Sequence, residues 1–224
     1  MSKTPVPFKT KSIEFSGFSW LVTESTTPAA PGPNFWSSDN VWIDEKGYLH
    51  LKITKDNNGI WHCAELRTKD NLGLGEYEFS IEGDLNRNDK NVVFGMFNYS
   101  GRDRKDEMDI EVSAFGENTQ NILHYNVYPK KGNQGWKAIT GLKLNGSYST
   151  HRFVRSKSKV VFQSLHGFPT EDQHQIFSAT CDNANIISTQ PMPVYINLWL
   201  FNGNAPANGK EVEIIIHKFR FTPE

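Results

Sequence analysis

Apolar residues return at every second position, or in short unbroken runs, along most of the 224-residue chain. YLHLKI, IWHCAELRT, EYEFSIE, NVVFGMFNY, EMDIEVSAF, NILHYNVY, RFVRS, KVVFQSLHG, VYINLWLF and EVEIIIHKFRF each read as a strand. Between them lie DEKG, KDNNG, NLGLG, SGRDRKD, PKKGNQG, SKSK and NGNAPANG, rich in the Gly, Asn, Asp and Pro that turns require. No window repeats apolar residues at helical spacing, so little helix is expected. So many short antiparallel strands must pack as two sheets, which predicts an all-β sandwich or jelly roll, one domain over residues 1–224. The Pro-, Ser- and Thr-rich stretch at 23–34 reads as a surface loop.

One run breaks the ordinary pattern. In DEMDIEV, Glu107, Asp109 and Glu111 alternate with Met108, Ile110 and Val112. On a strand the acids share one face and the apolar residues the other. Stacked like charges weaken a sheet, and a plain solvated strand would intersperse Lys or Thr. Three carboxylates could hold a hard cation, but one strand gives poor wrap-around coordination. Paired carboxylates also serve glycoside hydrolysis, in which one attacks the anomeric carbon and another protonates the leaving oxygen. Residues four apart on a strand lie roughly 13 Å apart at Cα. Retaining enzymes need their carboxyl groups about 5–5.5 Å apart. This reading therefore demands an inward-curved sheet.

Composition narrows the alternatives. A formal net charge of −1 with interspersed charges gives no electrostatic case for nucleic acid or an anionic membrane. The start, MSKTPVPFKTKSIEF, contains no apolar stretch long enough for a leader or a membrane span. Two cysteines, Cys63 and Cys181, admit one disulfide at most; two half-buried thiols are the favoured reading.

EMDIE has the Glu-x-Asp-x-Glu form of glycoside hydrolase family 16, without the extra residue typical of laminarinases, and the chain most resembles the lichenase-like β-glucanases of that family. Its surroundings match in order: NVWIDEKGYLHLKI, WHCAELRTKDNLGLGEYEFSI, NVVFGMFNYSG, HYNVYPKKG and YINLWLF resemble successive family segments. The resemblance implies a jelly roll of two bent antiparallel sheets with a concave cleft, acting on a polysaccharide or oligosaccharide. It assigns Glu107 as nucleophile, Glu111 as general acid/base and Asp109 as their assistant, for retaining cleavage of an internal β-glucosidic bond, with mixed-linkage glucan favoured. It places the substrate-contacting pair on Glu65 and Arg67. Strand parity adds Asn197 and Trp199, then His124 and Asn126 beside Tyr128, with Tyr99, Trp61 and Trp36 as further stacking candidates. No cofactor is implied. Some family members bind a structural calcium on the convex face, for which no ligands are assignable here.

The chain also departs from the family. Lys105 stands where lichenases place an aromatic, Val154 or Arg155 where a Trp is usual, and His166-Gly167 where Asp-Gly is usual. The upstream partner of Cys63 is missing. A non-catalytic carbohydrate-binding protein and a transglycosylase are the alternative readings. Because polysaccharide does not cross a membrane, an extracellular or periplasmic setting is expected.

Overall fold

The computed structural model describes residues 11–102, 104–169 and 174–224. Most of the stretch read above for a leader, and Asp103 of the charged run, lie outside them. Sixteen strands occur among the described residues. The first six are β1 (Ser12–Phe15), β2 (Phe18–Val22), β3 (Phe35–Trp36), β4 (Val41–Ile43), β5 (Leu49–Lys55) and β6 (Trp61–Thr68). β7 (Gly75–Glu82), β8 (Val92–Arg102), β9 (Lys105–Ser113), β10 (Ile122–Tyr128) and β11 (Trp136–Gly141) follow. β12 (Tyr148–Arg155), β13 (Val160–His166), β14 (Gln175–Cys181), β15 (Val194–Leu200) and β16 (Val212–Pro223) complete the set. Helix is limited to single 3-10 turns at Ser38–Asn40 and Phe201–Gly203.

The strands form two antiparallel sheets. One runs β11-β10-β9-β8-β15-β6 and adds β2 and β1 at its edge; the other runs β5-β16-β7-β12-β13-β14, with β4 beside β5. The β5–β6 hairpin joins them at a corner. This is the expected sandwich, and EMDIE lies between NVVFGMFNY and NILHYNVY as its parity demands.

The inner faces are apolar because period-2 alternation turns one set of side chains inward. Met108, Ile110 and Val112 of β9 are fully buried, as are Phe94 and Met96 of β8 and Ile196 and Leu198 of β15. Each such side chain contributes about 1.5–3 kcal/mol on leaving water. Aromatic rings lock the two sheets together: Tyr125 of β10 stacks on Phe162 of β13 at 4.9 Å, and Trp136 stacks on the same Phe162 at 5.8 Å. The Tyr125 hydroxyl donates to Ser164 Oγ at 2.7 Å, and His151, between Ser164 and Ser149, completes a buried polar chain.

Both cysteines are fully buried free thiols, one in each sheet, and not the half-buried pair expected. No three His, Cys, Asp or Glu side chains gather into a metal-binding group among the described residues. No helix among them is long and apolar enough to cross a membrane.

Candidate active site

The outward face of the β11-to-β6 sheet is a grid of side chains set by strand register. Along one row, His124, Glu111, Gly95, Asn197 and Glu65 are successive cross-strand partners. The next row carries Asn126, Asp109, Phe97, Tyr195 and Arg67, and a third places Tyr128, Glu107 and Tyr99 side by side. Neighbouring strands lie about 4.8 Å apart, so each row brings groups from three to five strands within reach of one sugar ring or its neighbour.

Glu107, Asp109 and Glu111 line one cleft of ≈ 380 Å³ together with Glu65, Phe97, Tyr99, Tyr195, Asn197, Trp199, Ala30 and Pro31. Just before Glu107 the β8–β9 register shifts. Asp106 there adopts φ +49°, which the short polar Asp tolerates, and its buried carboxylate pairs with Arg102.

Burial raises the Glu111 carboxyl to about 7, so it keeps its proton in weak acid. Asp109 is pushed well above the usual carboxylate range, first by burial and then by the charges of Glu107 and Glu111, and it shares a hydrogen bond with Glu107. Burial in the sheet thus raises both acids above their ordinary range.

Glu65 is held rather than merely present. One of its oxygens accepts from Thr23 Oγ1 at 2.9 Å and the other from Asn197 Nδ2 at 3.2 Å, and burial raises its pKa. That fixes the Asn197 amide so that Oδ1 lies over Gly95, where an added Cβ would approach it to 2.6 Å. Glycine is the residue that fits between Asn197 and Glu111.

The remaining sequence candidates divide. Arg67 lies in an adjoining depression of ≈ 350 Å³ that shares Tyr99 and Tyr195 with the cleft and is walled by Gln190 and Met192. Arg155 holds that wall. Its buried guanidinium donates to the carbonyls of Leu72 at 3.0 Å, Gly73 at 2.6 Å and Gln190 at 3.1 Å. Asn126 and Tyr128 open into a third cavity over β10 and β11. His124 stands against the Phe115 ring at 4.8 Å, and burial together with Lys137 lowers its pKa, which keeps the ring neutral.

Two of the three candidate tryptophans correct the sequence reading. Trp199 lines the cleft as expected, with only 9% of its surface exposed. Trp61 packs on the core under Lys55, whose ammonium lies 5.9 Å from its ring, and does not line the cleft. Trp36 is wholly interior at 1%. The aromatic floor is instead Phe97 and Tyr195, stacked at 5.1 Å, with Tyr99 set edge-on to Tyr195 at 5.8 Å. The same period-2 parity that selected Tyr99 and Asn197 points to both rings. Ala30 and Pro31 gave no such signal. The 29–34 loop carries them, closed by paired Ala29–Asn34 backbone bonds and tied to the sheet through Asn34 Nδ2 and the Leu200 carbonyl.

Comparison with known proteins identifies the family and the fold. The family model described as glycosyl hydrolases family 16 matches residues 33–215. A β-glucanase of Paenibacillus polymyxa is 29% identical over 165 residues, which span 73% of this chain and 63% of that relative. Among solved structures, the Bacillus licheniformis β-glucanase superposes with a TM-score of 0.70 at 21% identity, covering 92% of both chains. A prokaryotic β-1,3-1,4-glucanase (lichenase) derived from a mouse hindgut metagenome gives 0.68 at 19%, covering 92% of this chain and 93% of its own. The two structural matches carry the jelly-roll fold, and the family match spans most of the sequence from the edge of the 29–34 loop to the last strand. The chain belongs to glycosyl hydrolases family 16.

Proposed function

We propose that the protein is an endo-acting, retaining β-glucanase in which Glu107 attacks the anomeric carbon and Glu111 protonates the departing glycosidic oxygen. The observation that carries this reading is a carboxyl held protonated beside two other acids in one cleft: Glu111 retains its proton to about 7 on the strand face it shares with Glu107. A retaining mechanism needs such a proton donor, since the acid of the first step becomes the base that activates water in the second. Asp109, hydrogen-bonded to Glu107, orients it and relieves its charge as the glycosyl ester forms and breaks. Glu65, Asn197 and Arg67 supply donors and acceptors to sugar hydroxyls, and Tyr99 and Tyr195 provide ring faces. These carboxylates supply nucleophile and proton alike, so the reading calls on no cofactor.

The open ends of the cleft, continued by depressions on either side, favour attack within a chain over removal of terminal units. Mixed-linkage glucan is the preferred substrate on the EMDIE spacing, which resembles that of lichenases. We place the reaction outside the cytoplasm, where such polymers are met.

Reducing-end release from barley glucan, laminarin, xyloglucan and carboxymethylcellulose at pH 5 to 7 tests the reading. Release from barley glucan, lost by about a thousandfold or more in Glu107→Gln, is expected. No release from any polymer would remove catalysis and leave a binding protein. Product sizing with added oligosaccharide separates hydrolysis from transfer to a sugar acceptor, because the same glycosyl-enzyme serves both.

A further inference from the structure

The cavity over β10 and β11 differs in kind from the cleft it adjoins. It measures ≈ 620 Å³, and its charged lining is cationic throughout: Arg104, Lys105 and Lys137, with no carboxylate among the described lining residues. Asn126 and Asn133 add amide groups, whereas Trp136, the cross-strand partner of the buried Val127, turns its ring inward onto the core Phe162 and closes the cavity at the sheet edge. Lys105 Nζ donates to Asn133 Oδ1 at 3.1 Å, so the two lining side chains hold each other in place. The cavity touches the reaction centre directly, because Asn126 is the cross-strand partner of both Asp109 and Lys137. A glycan laid across the strands would pass from this cavity over the carboxylates to the Arg67 depression.

Neutral sugars give no reason to gather three cations beside the acidic strand. We propose that this cavity is a subsite for an anionic sugar unit, one bearing a carboxylate or an ester sulfate, so that a β-glucan carrying such units is bound more tightly than the unsubstituted chain. This rests on the hydrolase reading above and deepens it. Amides of Asn126 and Asn133 would bind ring hydroxyls, and the lysine and arginine heads would pair with the substituent. The competing account is that the cations merely offset the three acids. It predicts an altered pH profile on neutral glucan and no preference for an acidic chain.

Full-length Glu107→Gln protein, silenced for turnover, should be tested by affinity electrophoresis against three matched polymers. These are barley glucan, the same glucan partly oxidised to carboxylate at C6, and the same glucan lightly sulfated. The expected result is at least tenfold tighter binding to one or both charged forms at low salt, with the preference shrinking as ionic strength rises. Adding Lys105→Glu and Lys137→Glu should abolish that ratio, and circular dichroism checks that these variants remain folded. Of the two charged polymers, the one bound more tightly identifies the substituent. Equal binding of neutral and charged polymers, or a preference that survives both substitutions, overturns this inference alone. Failure to bind any of the three overturns it together with the hydrolase reading beneath it.

Discussion

At the residue scale, Glu111 holds an uncomfortable position. Its folded pKa of about 7 lies above the ordinary 4.5, so the unfolded chain releases this proton more readily than the native protein does. Stability is therefore unaffected below pH 4.5, falls as pH rises from there to 7, and beyond 7 the cost is constant at no more than about 3 kcal/mol. Glu111→Gln removes that cost together with the proton donor. Its melting temperature should exceed the parent's by several degrees at pH 8 and match it near pH 4. Activity on glucan should fall by about 10²- to 10⁴-fold, least for aryl glycosides whose leaving group needs no proton. In the parent, kcat/KM should decline above pH 7 as the acid form disappears. A melting curve that shows no gain at pH 8 would mean that Glu111 is not held protonated by burial. The acids themselves were legible in the sequence, since alternation alone puts them on one face. Their raised proton affinity was not, because it depends on how deeply each lies between its cross-strand neighbours.

At the element scale, the pairing of β12 and β13 encloses the polar chain Ser149–His151–Ser164–Tyr125 within an otherwise apolar layer. Burial lowers His151 to about 4, so it is neutral in the fold across the physiological range. The unfolded chain takes up this proton near 6.5. Stability is thus fully present above pH 6.5 and is lost as pH falls through the window down to 4, by about 3 kcal/mol in total. The urea midpoint of His151→Asn should accordingly be lower at pH 7 but flatter between 6.5 and 4 than that of the parent; parallel slopes would refute the assignment. Nothing in HRFVRS marks this histidine as interior. The strands that eluded the pattern are of the same character. β11 and β14 are the two sheet edges and mix exposed with half-buried positions, so alternation is faint there. β3 and β4 have two and three residues. The β1–β2 hairpin turns on Ser16 and Gly17, both at positive φ, a tight turn between runs too short to read. Long central strands were legible because both of their faces are constrained. Trp61 was misplaced because parity assigns a face but not how much of it remains open, and Trp36 lies in a two-residue strand too short for parity to place.

At the scale of the whole molecule, the sandwich seals a thiol into each sheet, and burial pushes Cys63 up to about 12. Neither is a reactive group while the fold persists. A chromogenic disulfide reagent should therefore label no thiol in native protein and two per chain in guanidinium, with labelling and loss of near-ultraviolet dichroism sharing one midpoint. Labelling that precedes unfolding would show one sheet opening before the other. Arg155 has a consequence at this same scale. A lone guanidinium spans the 72–73 and 190 segments from inside the protein, with Tyr77 alongside and three carbonyls as its acceptors. Spreading those two segments would strand a cation in the interior. The Arg67 end of the groove is therefore braced from inside, and its wall yields only at the cost of leaving that charge unpaired.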